Sequence, residues 1–275
     1  MARLEENLHA VRARIDAAAR RAGRDPAAVA LLAVSKTWPA ADVAALAALG
    51  QTDFAENRAQ ELTAKAAELA GLDLRWHFVG QLQRNKAAAV ARLGAVVHSV
   101  DRASLVAALG RAGTGAGRPV DVFVQVDLGG PSGTLAARGG APPADVPGLA
   151  DAVAAAAGLR LRGLMAVAPR GIEPGPAFAA LAELAAQVRA DHPEATELSA
   201  GMSGDLEEAI AAGATVVRVG TAIFGDRPLP SGQHSEVTPA PEVPGASGAT
   251  TWQAPRKARR NAGRTPLGAA AEGEV

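Results

Sequence analysis

The sequence contains no cysteine and no tyrosine among its 275 residues, and only 3% of it is aromatic. The missing cysteine excludes disulfides, a thiolate nucleophile and any Cys-ligated metal site. With so few rings, the core has to be built from aliphatic side chains, and an apolar content of 48% supplies enough of them. An excess of charge is lacking too. Lys+Arg and Asp+Glu both number 28, so net charge points to neither nucleic acid nor membrane as a partner. No apolar run is long enough to span a bilayer. Residues 1–23, MARLEENLHAVRARIDAAARRAG, pattern as a charged amphipathic helix without the continuous apolar stretch of a signal peptide. The expectation is a cytoplasmic protein with no metal.

What is present is alternation. Short β-type runs fall near residues 29–36, 53–57, 75–80, 95–101, 120–127, 159–167, 196–201 and 215–220, with Ala/Leu-rich helical runs between them. Strands alternating with helices imply a parallel sheet covered on its faces. Eight such strands behind one leading helix predict an α/β fold of the (β/α)8 TIM-barrel type, with an open doubly wound sheet as the alternative. Two segments break the pattern. Residues 129–148, GGPSGTLAARGGAPPADVPG, read as a mobile Gly/Pro-rich loop. From about Pro228 to Val275 the chain is rich in Pro, Gly, Ser and Ala without hydrophobic periodicity. The expected organisation is one barrel domain, 1–227, and a disordered tail, 228–275.

The strand bodies are apolar and their C-terminal ends polar, the side on which barrels carry their sites. Lys36 follows a run of apolar residues and precedes Thr37-Trp38-Pro39. In a barrel mouth, desolvation lowers a lysine's pKa and frees its amine for a Schiff base with a carbonyl. The alternative is a lysine whose stem lies on the barrel while its ammonium reaches water. On the opposite strands, SAGMSGDLEEAI (199–210) and VRVGTAIFG (217–225) each read as strand, small-residue turn and helix start. Small residues let backbone N–H groups approach an anion. Barrels often bind phosphate after strands seven and eight. A lysine on strand one facing two such turns points to a phosphorylated ligand bearing a carbonyl.

Seven segments then fit one pattern: LLAVSKTWP around Lys36, DFAENRAQE (53–61), WHFVGQLQRNK (76–86), VHSVDR (97–102), GLMAVAP (163–169), LSAGMSGDLEEAI (198–210) and VVRVGTAIFGDR (216–227). Over residues 3–227 the chain resembles the pyridoxal phosphate homeostasis protein family, single-domain relatives of the alanine racemase N-terminal barrel. The resemblance implies a fold-type III site for pyridoxal 5′-phosphate (PLP). Lys36 would hold the cofactor as a Schiff base, while Ser203, Gly220 and Thr221 cradle its phosphate. Arg218 would face the pyridine nitrogen and keep it unprotonated, which weakens the cofactor as an electron sink. Asn57 would lie near the ring's oxygen side and Met165 near the ring. His77 would either contact the site or serve as a structural histidine. The family's polar loop after strand five is replaced here by GGPSGTLAARGG, so any role of that loop does not carry over.

Three activities fit a Lys-bound carbonyl. The first is a PLP carrier that supplies apo PLP-dependent enzymes, with no catalytic residue of its own. The second is an amino-acid racemase; related racemases use a tyrosine from a second domain opposite the lysine, and this chain has no tyrosine and no such domain. The third is a PLP-free lyase or aldolase acting on a sugar phosphate. The carrier reading is preferred. Without the second domain a racemase-type dimer loses its main contacts, so a monomer is expected.

Overall fold

The computed structural model describes residues 2–129, 139–169, 171 and 173–226. The proposed tail and residues 130–138 lie outside the described residues. The strands are β1 (Ala30–Val34), β2 (Asp53–Glu56), β3 (Arg75–Phe78), β4 (Val96–Val100), β5 (Val120–Val126), β6 (Leu159–Ala166), β7 (Glu197–Ser199) and β8 (Val216–Val219). The helices are α1 (Ala2–Arg21), α2 (Ala40–Ala48), α3 (Ala59–Glu68), α4 (Ala87–Leu93), α5 (Ala103–Gly115), α6 (Val146–Ala154), α7 (Pro174–Asp191), α8 (Leu206–Ala211) and α9 (Thr221–Phe224). Every strand runs parallel to its neighbours, and the sheet closes on itself in sequence order. Closure is explicit in the β1–β8 ladder, Ala30↔Val216 to Ala33↔Val219, which removes the open-sheet alternative.

Alternation along each strand sorts side chains between two cores. One side, with Phe54, Trp76, Val97, Val122, Leu164, Leu198 and Val217, joins the helices in the main apolar cluster. The other side faces the barrel axis. It holds two small, separate apolar groups: Leu32, Val34, Ala55 and Val216 in one, and Val96, Phe123 and Met165 in the other. Buried polar residues His77, His98, Ser199 and Arg218 occupy axial positions as well, where barrels usually carry branched aliphatics.

Helix α1 buries Leu4, Leu8, Val11, Ile15, Ala18 and Ala19, a stripe with helical spacing. Fully burying a Leu or Ile contributes about 1.5–3 kcal/mol. The stripe packs on α8, α9 and α2, so the leading helix covers the ends of the chain's last two β/α units. Among the described residues no helix is long and apolar enough to cross a membrane.

Two expectations change. The first strand ends at Val34 and not at residue 36, because the Trp38 N–H closes a turn on the Ser35 carbonyl at 3.0 Å. Lys36 therefore sits in a turn above the barrel, not on a strand. In the segment 129–148, residues 139–148 are built into the fold. The Ala141 N–H donates to Gln125 O and the Asp127 N–H to Ala141 O, both at 2.8 Å, before a 3-10 turn (Pro143–Asp145) leads into α6. Glycine and proline content there marks a tight return to the C-terminal end of β5, and composition alone reads the same as a loose loop.

Candidate functional site

The turn carrying Lys36 is strained and braced. Thr37 has φ = 70°, the one positive φ outside glycine among the described residues. A β-branched residue in that region costs on the order of 1–3 kcal/mol and persists only where neighbours over-determine it. Here the Thr37 N–H donates to Glu61 Oε1 at 2.6 Å. Glu61 belongs to α3 and also accepts from Lys65 Nζ at 3.0 Å. Lys65 is buried and donates further to Glu56 Oε1 at 2.6 Å and to the Ser35 carbonyl at 2.8 Å. The Ser35 hydroxyl donates to the same Glu56 oxygen at 2.7 Å. Both residues flanking Lys36 are thus tied to one buried ion-pair network. Burial pushes the Glu56 carboxyl above its ordinary range, although Lys65 and Ser35 pull the other way.

Beside that turn, at the ends of β8 and its neighbour β7, lie the two small-residue turns. In the β7–α8 turn Gly201 has φ = 89°, and a side chain there would meet the Ala209 Cβ at 2.7 Å. In the β8–α9 turn, a Cβ on Gly220 would come within 3.2 Å of the Val34 carbonyl, so glycine lets β8 end close beside β1. The turns are joined to each other, the Ala222 N–H donating to Ser203 Oγ at 3.2 Å.

Lys36, Met165, Ser203, Arg218, Gly220 and Thr221 all line one cavity of about 470 Å³. That volume falls in the range for small-molecule sites. Val34, Val79, Val167, Trp38 and Met202 supply its apolar walls, and Trp38 is stacked on Phe224 at 5.7 Å. Asn57, expected at the same site, lines a separate polar cavity with Arg58, Lys86 and Arg102 instead. A Cβ on Gly80 would lie 2.1 Å from the Asn57 carbonyl, so the glycine of HFVG lets β3's exit press against Asn57.

Arg218 is buried and, among the described residues, forms no ion pair with a carboxylate. Its Nη1 donates to the Ser199 carbonyl at 2.6 Å and to Ser199 Oγ at 2.8 Å, and its Nη2 donates to the Ala166 carbonyl at 2.7 Å. These three bonds fix the guanidinium at the wall of the cavity that it lines. Burial lowers its pKa to about 10, and it remains a cation at neutral pH. His77 does not line the cavity; its imidazole bonds His98 and Asp53.

Helix α1 supplies a brace that sequence reading missed. Arg14 grips Glu207 of α8 through two bonds of 2.9 Å and donates to the Ser203 carbonyl at 3.1 Å. Asn7 donates to Ile223 O at 2.8 Å. Arg14 looks like any exposed helix charge, and only the fold brings it to residue 203. Arg14→Ala should leave the barrel folded while loosening the Ser203 turn; faster proteolysis of 199–207 checks this. The hydrogen bond from Arg14 holds Glu207 below the usual carboxylate range. A carboxyl with a depressed folded pKa stabilises fully above its unfolded value and loses that contribution as pH falls through the folded one. Acid titration below about pH 4.5 should therefore release this brace, and urea melts of wild type and Arg14→Ala should converge there.

A chain whose lysine and two small-residue turns meet at the mouth of a parallel barrel belongs to the alanine racemase N-terminal domain family, whose pattern matches residues 7–228. Within that class it is a member of the pyridoxal phosphate homeostasis protein family. It is 46% identical over 227 residues to the pyridoxal phosphate homeostasis protein of Pseudomonas aeruginosa, covering 82% of this chain and 97% of that one. The Escherichia coli K12 protein of the same name is 40% identical over 230 residues, covering 82% and 97%. Among solved structures, PipY of Synechococcus elongatus PCC7942 with PLP bound is 38% identical, with a TM-score of 0.71 over 81% of this chain and 100% of that one. Alanine racemase of Clostridium difficile 630 shares the fold at 16% identity, with a TM-score of 0.64 over 84% of this chain and 58% of the racemase.

Proposed function

We propose that the cavity binds PLP, that Lys36 holds it covalently, and that the protein stores and releases the cofactor within the cytoplasm. The observation that carries this reading is the convergence of Lys36 and the two small-residue turns on one cavity. The donor set fits the ligand's chemistry, with an amine for the aldehyde, small-residue turns for the phosphate and apolar walls for the ring. When bound, the cofactor supplies an aldehyde that condenses with an amine to form a C=N bond, with loss of water.

Each residue then has a task. Ser203 and Thr221 offer hydroxyls, and Thr221, first in its helix, has an N–H with no carbonyl one turn back. Arg218 presents a fixed cation to the ring nitrogen and holds off a proton there. Met165 and the valines exclude water from the ring. Asn57, at the end of β2, would serve the ring's oxygen side only if its side chain reached beyond the cavity that it lines. Thr221→Val should weaken PLP retention by about 1.5–3 kcal/mol, roughly 10–100-fold in Kd, with little effect on folding. Equilibrium dialysis of the variant measures it. Ser203→Ala should cost at least as much, because it also removes the acceptor of the Ala222 N–H.

The carrier role is supported by the names of the relatives and by the lack of any tyrosine to protonate the face opposite the lysine. The loaded protein should restore activity to an apo PLP-dependent enzyme even when a trap removes free cofactor. Restoration abolished by the trap would mean that the partner is fed only by release. Robust racemisation of alanine by the purified chain would overturn the carrier reading. Light scattering should give the mass of a monomer.

A further inference from the structure

Five residues on five strands form a continuous hydrogen-bonded chain across the barrel axis. Arg218 Nη1 meets Ser199 Oγ at 2.8 Å, Ser199 Oγ meets His98 Nδ1 at 2.9 Å, His98 Nε2 meets His77 Nδ1 at 2.9 Å, and His77 Nε2 meets Asp53 Oδ1 at 3.0 Å. One end lines the Lys36 cavity. The other is Asp53, first residue of β2 and partly exposed. The chain leaves the axial apolar residues in two separate groups. We infer that Ser199, His98, His77 and Asp53 are positioning residues for Arg218, and that the protonation state of His77 is relayed through them to the guanidinium.

The direction of every bond follows from its ends. Arginine only donates, and an ionised carboxylate only accepts. With both imidazoles neutral, one arrangement satisfies all four contacts with every donor spent along the chain. Arg218 donates to Ser199, the Ser199 hydroxyl donates to His98 Nδ1, His98 Nε2–H donates to His77 Nδ1, and His77 Nε2–H donates to Asp53. Both histidines are therefore Nε2–H tautomers. His98 is fully buried and stacked on Phe123 at 4.3 Å, and burial holds its pKa well below the ordinary histidine value. Geometry places an added proton on His77, whose Nε2 lies 3.0 Å from the Asp53 carboxylate, whereas the fully buried His98 contacts His77 and Ser199.

Protonation of His77 reverses the interior bonds. Its Nδ1 becomes a donor, so His98 Nε2 must accept and the His98 proton must sit on Nδ1. That N–H then donates to Ser199 Oγ, which already accepts from Arg218, and the Ser199 hydroxyl hydrogen loses its acceptor. The net change is one proton taken from solvent. The Ser199 oxygen can accept both N–H groups with its two lone pairs, but it no longer donates to His98, and it loses the cooperative polarisation that strengthened its bond from Arg218. Other charged groups at the ends are Arg75, 3.8 Å from Asp53, and Asp205, whose charge acts on Arg218. Asp121, the titratable residue of β5, is paired with Arg160, and β5 meets His98 with the uncharged Phe123.

The effect on the ligand rests on the PLP reading, but the relay itself does not. Ring-nitrogen NMR of the ligand-free full chain should show His77 and His98 as Nε2–H tautomers at neutral pH. On acidification His98 should change to Nδ1–H with the same midpoint as the protonation of His77. A His98 that is Nδ1–H at neutral pH, or keeps one tautomer throughout, would overturn the relay whether or not PLP binds. With PLP added, the near-violet band should shift with pH at that same midpoint, and His77→Gln should flatten the profile. A pH profile unchanged by His77→Gln would contradict coupling to Arg218, whereas a missing band in wild type would count against the PLP reading alone.

Discussion

Lys36→Ala should abolish near-violet absorbance in protein incubated with PLP while leaving the far-ultraviolet dichroism and melting temperature close to wild type. Lys36 sits in a turn above the barrel, half-buried, and its neighbours carry the structure around it. Ser35 and Thr37 are fixed by Glu56, Lys65 and Glu61 through bonds that do not require the Lys36 side chain. The substitution removes the amine together with the contact it makes, and leaves those bonds of Ser35 and Thr37 in place. Phosphate contacts from the turns should persist, so the variant is expected to retain PLP as a weak, reversible ligand. A band that survives the substitution would place the covalent bond on another lysine.

Lys65→Met should produce the largest loss of stability of any single change near the site, about 3–5 kcal/mol, because it leaves the Glu56 carboxylate buried without its cation. The Glu56 side chain is 0% exposed and that of Lys65 8%, so water cannot replace the missing partner. Glu56 Oε2 already has no hydrogen-bond partner among the described residues, which leaves no slack in the network. At about 2–4 °C per kcal/mol for a domain of this size, the melting temperature should fall by roughly 10 °C. Adding Glu56→Leu should recover most of the loss, since replacing a buried pair by apolar groups is often neutral. A single variant that melts like wild type would show that the pair contributes nothing. The sign of the Glu56 shift adds a pH signature. Its pKa is raised in the fold, so its contribution is fullest at low pH and declines as pH rises from about 4.5 through the folded value. Lys65→Met should accordingly be least harmful in acid, where Glu56 is protonated.

The barrel was legible because each strand is a compact apolar run closed by turn residues, and parallel order follows from the helices between them. Lys36 and the turns at Ser203, Gly220 and Thr221 were legible from strand order, which puts β1 beside β8 and β8 beside β7, whereas Arg218 and Met165 came only from the family resemblance; all six line one cavity. Asn57 sits at the end of β2, as expected, and lines a different cavity from Lys36. Lys65 escaped notice although it continues the buried stripe Ala59, Leu62; a lysine in that register is usually read as a solvated helix charge. Arg14 carries no local signal at all, because its partners lie more than 180 residues away. The histidine chain was hidden for a different reason. His77 and His98 read as separate polar strand residues, and only the closure of the barrel places Ser199 and Arg218 within bonding distance of them.

Borohydride reduction of the PLP-loaded protein, followed by peptide mass mapping, bears most directly on how the ligand is held. Recovery of the reduced adduct on the peptide containing Lys36, at one per chain, is the expected result. An adduct carried mainly by a different lysine, or no adduct in protein that has retained the cofactor, would contradict it.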